Sequence, residues 1–300
     1  MPPPSVPPSL RGRVFRGRDA VASGLLTSER LRSTAWRRLY RGIYADASLS
    51  DTHGVRIAGA ALLVPTSAAF AGRSAAYLYG AEALVDAETP VDVVVPAVAR
   101  FGPVSGLRIR VAPLGGDDVR TVGRHLCTVP LRTALDIARL EAIPESVVAL
   151  DVMLARGLVR PGDLAAAVSV LPPGRGTRRA RTAVGLSDER AESPPESRLR
   201  VLLRLAGLTP QPQYVVRDRA GVRIARVDLA FPEQRVAIEY DGVWHGAAGQ
   251  LAKDRRRLNK LVQEGWKVLH LTAADMYDPA AVVAAVRRLL ASCEIGEFGL

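Results

Sequence analysis

Carboxylates interrupt two apolar runs between residues 227 and 245, in the stretch VDLAFPEQRVAIEYDGVWH. Asp228, Glu239 and Asp241 lie inside runs that otherwise have the composition of buried strands, and His245 follows the second run. Period-two alternation places Asp228 on one face of the first strand, and Glu239 and Asp241 together on one face of the second. Each predicted strand therefore has one apolar face and one face that carries acids.

The residues FPEQR between the two runs predict a hairpin that pairs them antiparallel. In one register Asp228 lies opposite Glu239 on the same face, whereas a slip of one residue separates the two side chains. Carboxylates directly opposite each other repel by about 0.2 to 1 kcal/mol, and a bound divalent cation reverses that sign. Because Mg²⁺ and Mn²⁺ bind carboxylates, water and phosphate oxygens, the pair predicts a metal site at Asp228 and Glu239. An ordinary acidic surface is the alternative interpretation.

The segment SPPESRLRVLLRLAGL predicts a helix before these strands, with Ser193 as N-cap and Gly207 as its end. Leu199 and Leu203 define its buried side, and Glu196 shares that side by helical spacing. Two interpretations of Glu196 stay open. It is either the capping-box partner of Ser193, or its carboxylate points toward the acids of the sheet.

A second helix is predicted after the strands, over GQLAKDRRRLNKLVQEG, with Leu258 and Leu261 among its buried residues. Its cationic positions are predicted to project away from the sheet as a basic surface, namely Lys253, Arg256, Arg257 and Lys260. Such a run is usually a solvated helix face. Next to an acidic metal centre, binding of a nucleic-acid backbone becomes the favoured interpretation.

Residues 193–292 resemble a widespread bacterial domain of unknown function that is related to the very-short-patch repair endonucleases, within the PD-(D/E)XK restriction-endonuclease-like superfamily. The motifs SPPES, RVDLAFPEQRVAIEYDGVWH and KDRRRLNKLVQEGWKVLHLT carry the resemblance. It implies a mixed sheet flanked by helices, a Mg²⁺ or Mn²⁺ cofactor and nuclease activity.

The resemblance also implies catalytic roles for five positions. Asp228 matches the metal-binding aspartate, Glu239 the second acidic position, and Glu196 the acid often found on the first core helix. Asp241 stands where many superfamily nucleases have lysine, which is a departure from the broad pattern. His245 falls near a histidine that the repair endonucleases use, and it is the candidate for activating the attacking water in place of the lysine.

Residues 15–46 predict two short helices followed by a β-hairpin. Gly24 can end the first helix and Thr27 can cap the second. This order of elements predicts a winged-helix DNA-binding module whose second helix and wing carry Arg30, Arg32, Arg37, Arg38 and Arg41. A small helical cap with solvated arginines is the alternative interpretation.

This first stretch resembles the N-terminal winged helix of antitoxin-type regulators of the abortive-infection group. The segments AAFAGRSAAYLYG, VDVVVPAV, LRIRVAPL and TVPLRTALDIARL extend the resemblance across residues 15 to 170. It implies a DNA-binding module joined to a regulatory domain. DNA is the expected partner, and a toxin or regulatory protein and a second copy of the chain, as a homodimer, are further candidates.

The sequence therefore predicts an α/β multi-domain protein. Its segments are a disordered leader at 1–14, a winged helix at 15–46, an α/β regulatory domain at 47–171, a linker at 172–192, a restriction-endonuclease-like domain at 193–292 and a tail at 293–300. The linker is indicated by prolines at both ends of LPPGRGTRRARTAVGLSDERAESPP and by its closely spaced glycines.

Composition limits the class of protein. The net charge of +11 and the pI near 10.4 favour a polyanionic partner. Cys127 and Cys293 are the only two cysteines, so neither a disulfide framework nor a cysteine zinc site is predicted, and a reducing cytoplasm is expected. The sequence predicts neither a signal peptide, since no apolar run follows the first arginines, nor a membrane segment.

Two functions remain open at this point. The first is a Mg²⁺-dependent endonuclease that hydrolyses DNA phosphodiester bonds with metal-activated water and is targeted by the winged helix. The alternative is a DNA-binding transcriptional regulator of antitoxin type, whose nuclease-fold domain is weak or inactive. The intact acids and His245 favour the first function. The absent lysine and the regulator-like first half favour the second.

Overall fold

The computed structural model describes the backbone over residues 6–241 and 248–294, and the side chains over 6–241 and 255–293. Contacts divide the chain into two compact units, Met1–Ile137 and Ala138–Leu300. Within the described helices, none combines the length and the apolar character that crossing a membrane requires. Both units contain helices and strands, so the protein is of mixed α/β class.

The first unit begins with a three-stranded antiparallel sheet in the order β1-β3-β2. It consists of strand β1 (Val14–Arg16), helix α1 (Gly17–Ala22) and a hairpin of β2 (Trp36–Tyr40) and β3 (Ile43–Asp46). The hairpin confirms the strands expected from the alternation in WRRLYRGIY.

The second predicted helix of this segment differs in the structure, because only a 3-10 turn forms at Arg30–Arg32. Thr27 still caps it, since its Oγ1 accepts a hydrogen bond from Arg30 N at 3.1 Å. Ser33 ends the turn, because its hydroxyl donates to the Arg30 carbonyl at 2.8 Å and its own backbone is extended. Trp36 is buried only three residues later and already belongs to β2, which leaves no length for a helix.

The segment predicted as a disordered leader also differs where it is described. Pro8–Leu10 form a 3-10 turn, and Leu10 is buried in a cluster with Phe15 and Trp36, whose rings meet edge to face at 5.0 Å. Asp46 Oδ2 accepts a hydrogen bond from Gly12 N at 2.6 Å. An apolar contact and a charge-assisted hydrogen bond thus hold residues 8–14 against the small sheet.

A five-stranded mixed sheet in the order β6-β5-β4-β8-β7 follows in the first unit. Tyr40 and Ile43 of the hairpin share one core with Ile57 of α2 and Phe70 of β4. The predicted segment 15–46 therefore packs against the part of segment 47–171 that belongs to the first unit. The elements are α2 (His53–Ala61), β4 (Ala69–Phe70), α3 (Gly72–Leu78), β5 (Val91–Val95), β6 (Leu107–Val111), β7 (Val119–Val122), β8 (His125–Thr128) and α4 (Pro130–Leu140).

The second unit places helices around a four-stranded sheet in the order β12-β11-β10-β9. Strands β9, β10 and β11 are antiparallel, whereas β12 returns parallel to β11 after a helical crossover. The elements are α5 (Ile143–Ala155), α6 (Pro161–Ser169), α7 (Thr177–Leu186), α8 (Pro194–Leu205), β9 (Gln211–Arg217), β10 (Arg223–Phe231), β11 (Val236–Asp241), α9 (Ala248–Gln263), β12 (Lys267–Thr272) and α10 (Pro279–Glu294).

Each face of this sheet has its own core. Leu229 and Ile238 pack with α8 and α10. Ala230 and Ala237 pack on the other face, with Leu261 of α9. Val227 joins this second core, although regular alternation would place it on the same face as Leu229. The alternation of β10 is therefore interrupted between Val227 and Leu229.

A buried ion pair joins α5 to α8 within the second unit. Arg200 Nη2 lies 2.5 Å from Asp151 Oδ2, and the two side chains are 6% and 1% exposed. Arg200 Nη1 also donates to the Leu186 carbonyl at 2.5 Å, and Asp188 N donates to Asp151 Oδ1 at 2.7 Å. Burial raises the pKa of Asp151, while the charge of Arg200 opposes that rise. The predicted linker 172–192 therefore contains a helix and contacts that belong to this unit.

Candidate metal centre

The hairpin of β10 and β11 has the register that sets Asp228 opposite Glu239. Leu229 pairs with Ile238, Ala230 with Ala237 and Phe231 with Val236, so the next residues along are Asp228 and Glu239. There the regular ladder ends, because Asp228 Oδ2 accepts the hydrogen bond of Tyr240 N at 2.8 Å. A side-chain carboxylate thus takes the part of a backbone carbonyl.

The environment of Asp228 is unfavourable to its negative charge. The pKa of Asp228 is raised to about 6, chiefly by burial and also by the charges of Glu196 and Glu239, while the Tyr240 N–H and the charge of Arg257 oppose the rise. Glu239 itself is 8% exposed. The structure therefore brings three of the predicted carboxylates within electrostatic reach of one another.

Glu196 combines both of the roles that were left open. Ser193 Oγ donates to Glu196 Oε1 at 2.8 Å, and Glu196 N lies 3.4 Å from Ser193 Oγ, so the residue takes part in the cap of α8. Its other oxygen, Oε2, accepts from Gln213 Nε2 of β9 at 2.9 Å. Gln213 has a left-handed backbone with φ of 52°, which makes β9 irregular next to Asp228.

A histidine that the sequence did not single out completes the acidic edge. The parallel pairing of β11 with β12 places His270 beside Glu239, and His270 Nδ1 lies 3.1 Å from Asp241 Oδ2. One potential ligand atom each from Glu239, Asp241 and His270 lies within 4.8 Å of the other two. Two carboxylates and one imidazole fit a divalent cation, and the imidazole favours Mn²⁺ or another transition metal over Mg²⁺.

Arg257 corrects the prediction of an outward basic face on α9. Its guanidinium forms an ion pair with Glu239, and its Nη2 donates to the Arg226 carbonyl at 3.1 Å. Among the described side chains of this helix Leu261 is the buried one, and Arg257 lies four residues before it on the same face. Leu258, predicted to be buried, is 36% exposed.

A cavity of about 310 Å³ opens beside these groups. Acidic and imidazole side chains form one wall, and arginines and leucines of α9 form the other. Its lining consists of Glu239, Asp241, His270, Arg255, Arg257, Leu258 and Leu261. An anion bound there would meet cationic side chains on one wall and any cation held by the acids on the other.

The remaining predicted positions fall into two groups. Arg256 and Lys260 are exposed on α9, as are Arg30, Arg32, Arg38 and Arg41 in the first unit, while Arg37 is half-buried. The Nε and Nη2 atoms of Arg37 have no hydrogen-bond partner among the described residues. His245 and the side chain of Lys253 lie outside the described residues.

The fold and these side chains together define a mixed α/β protein of two units, one of which carries a cluster able to ligate a cation. The chain is 30% identical over 256 residues to "Uncharacterized protein MT2308" and to "Uncharacterized protein Rv2248", from two strains of Mycobacterium tuberculosis, covering 84% of this chain and 92% of each relative. It belongs to the same family as these two mycobacterial proteins. No family model matches it.

Two solved structures resemble parts of the chain. The catalytic domain of the homing endonuclease I-Bth0305I is 24% identical, with a TM-score of 0.28, over 33% of this chain and 95% of that domain. The RV2827C protein of Mycobacterium tuberculosis is 15% identical, with a TM-score of 0.40, over 69% of this chain and 80% of that protein.

Proposed function

We propose that the second unit is a divalent-cation-dependent endonuclease that hydrolyses phosphodiester bonds of DNA. The observation that carries this proposal is the cluster of Glu239, Asp241 and His270 beside a cavity with a cationic wall, with Asp228 within electrostatic reach of Glu239. Buried carboxylates near one another cost free energy in folding. A bound cation would offset that cost.

Asp228 and Glu239 would hold Mg²⁺ or Mn²⁺, with Asp241 and His270 as further ligands. The bound cation supplies polarisation of a phosphate oxygen and a water molecule of lowered pKa. Arg255, on the opposite wall, would orient the phosphate. His245 remains the predicted proton acceptor, because the imidazole of His270 is assigned to the cation in this arrangement.

The exposed basic surface of α9 and the arginines of the first unit would bind the DNA backbone. Lys and Arg contacts to phosphates release counterions, which gives affinity without reading sequence. Arg256 and Lys260 are exposed on the helix that also contributes to the cavity. Targeting by a DNA-binding module at residues 15–46 is part of this proposal.

Nicking of supercoiled plasmid by the full chain tests the nuclease, with Mg²⁺, Mn²⁺ or EDTA and with a single-stranded RNA in parallel. Asp228→Asn and Glu239→Gln should each lower the rate about 100-fold or more, because even groups that only orient metal ligands contribute 10- to 100-fold. Glu233→Gln, an exposed acid in the turn of the same hairpin, is the matched control and should cleave normally. Cleavage that persists in EDTA, or in both site variants, would contradict the proposal.

A DNA-binding regulator is the second candidate function. The ion pair of Arg257 with Glu239 favours it, because the guanidinium already balances one of the acids. Plasmid that is bound but remains intact with every metal would support this alternative. The exposed arginines of the first unit would then carry the function.

A further inference from the structure

Arg257 places a positive charge on the carboxylate of Glu239, which a bound cation would also use. Its guanidinium is in direct ionic contact with Glu239, and it is held there by a second bond to the Arg226 carbonyl. Glu239 is one of the three residues whose ligand atoms cluster. A guanidinium and a divalent cation on the same carboxylate repel each other, so each weakens the binding of the other.

The cavity beside Arg257 has room for an alternative position of its guanidinium. Arg257 and Arg255 line the wall that faces Glu239, Asp241 and His270. The Arg257 side chain is 35% exposed, so it can turn without unpacking the core, which at this helix position is provided by Leu261. Arginine binds phosphate oxygens with the same planar fork of donors that it uses for a carboxylate.

We propose that the Arg257 guanidinium and a divalent cation are alternative partners of Glu239, so that cation binding releases the guanidinium to hold a phosphate of the DNA. This inference rests on the metal site of the proposed function. It assigns Arg257 a phosphate-binding role that depends on the cation. Cation and DNA would then bind with positive coupling, each favouring the arrangement that the other needs.

Titration of the full chain with Mn²⁺, without DNA, is the first test. Arg257→Ala removes the competitor, so Mn²⁺ should bind several-fold more tightly than to the wild type. Arg256→Ala removes one positive charge from an exposed neighbouring position of α9 and serves as the charge control for the titration alone. Equal tightening in both variants would show a general charge effect and overturn the exchange.

DNA affinity gives the second test, measured by anisotropy in EDTA and in Ca²⁺, which binds the same oxygen ligands as Mg²⁺. With Ca²⁺, Arg257→Ala should reduce the slope of log affinity against log salt by about one, which is the effect of one lost phosphate contact. In EDTA the slope should not change, because Arg257 is then engaged by Glu239. An equal reduction under both conditions would mean a permanent phosphate contact and would overturn the exchange.

The same measurements separate the two proposals. If neither the wild type nor Arg257→Ala binds Mn²⁺, the metal site and the proposed nuclease both fail. If the wild type binds Mn²⁺ and Glu239→Gln abolishes that binding, but Arg257→Ala leaves it unchanged or weakens it, only the exchange fails. Thermal unfolding in EDTA verifies that each variant is folded.

Discussion

Two arginine–carboxylate pairs in the second unit use the same chemistry in different surroundings. Arg200 and Asp151 are almost fully buried, and each has a further hydrogen bond to the backbone. Arg257 and Glu239 meet at the edge of the sheet, where Arg257 is 35% exposed and both residues line a cavity. The first pair has no access to another partner, whereas the second does.

The difference shows when an ion pair holds a fold together and when it can be exchanged. Separating a sealed pair leaves a charge in a region of low polarity, which is costly. A pair beside a cavity can exchange one partner for an ion or a phosphate at little cost. We expect the sealed pair to matter for stability and the open pair to matter for binding.

The largest effect is expected from breaking the sealed pair. Arg200→Ala leaves the Asp151 carboxylate buried without its counter-charge and should lower the free energy of unfolding by about 3 to 5 kcal/mol. Urea unfolding followed by circular dichroism measures this change. If Arg200→Ala lowered the free energy of unfolding by less than Arg257→Ala does in EDTA, the buried pair would not be the more important one for stability.

A smaller effect of opposite sign is expected at the open site, from Asp228→Asn in EDTA. The folded pKa of Asp228, about 6, lies above its unfolded value of about 4, so the folded state releases this proton later as pH rises. Ionisation therefore costs stability increasingly from pH 4 to pH 6, and the full cost remains above pH 6. Asparagine lacks this cost and can still accept the Tyr240 hydrogen bond.

The free energy of unfolding of the variant, relative to the wild type, should accordingly rise by about 1 to 3 kcal/mol as the pH is raised from 4 to 7. Urea unfolding at a series of pH values, with the metal chelated, checks the result. A difference in stability that is independent of pH would show that Asp228 titrates normally.

The repulsion between Glu196 and Asp228 should appear as a coupling energy of about 0.5 to 1 kcal/mol. A double-mutant cycle of Glu196→Gln and Asp228→Asn at pH 7 in EDTA isolates it. The first substitution should be less destabilising when Asp228 carries its charge than when it has been replaced. Strictly additive effects would place the two carboxylates too far apart to act on one cation.

The smallest effect is expected from an exposed ion pair in the same unit. Arg198 Nε lies 3.2 Å from Glu145 Oε1, with both side chains more than 40% exposed. Arg198→Ala should change the free energy of unfolding by less than about 1 kcal/mol, because water solvates both groups after separation. It is the matched control for Arg200→Ala, two residues away on the same helix.

Local patterns predicted much of the fold around the site. The N-cap at Ser193, the end of α8 before Gly207 and the three strands of the meander are all present. The register of β10 with β11 is the one of the two considered that sets Asp228 opposite Glu239. These features depend on neighbours that are close in sequence.

The features that sequence did not predict depend on distant partners. The alternation of KVLHLT places His270 on the face opposite Leu269 and Leu271, but only the pairing of β12 with β11 brings it beside Glu239. The inward turn of Arg257 depends on which residue of α9 packs against the sheet. Only a 3-10 turn forms at Arg30–Arg32 because Trp36 is buried as the first residue of β2, and this packing overrides local helix propensity.

The hydrogen bond from Tyr240 N to Asp228 has a consequence for how sequences in this family diverge. Because the carboxylate serves as a backbone acceptor, its loss would leave a peptide N–H unpaired where two strands separate. Asp241 and His270 contact each other at a more exposed position, where their side chains do not replace a backbone acceptor in that contact. In relatives that lack the proposed activity, we expect substitutions at Asp241 and His270 first, while position 228 remains Asp or Asn because it is needed for the backbone hydrogen bond.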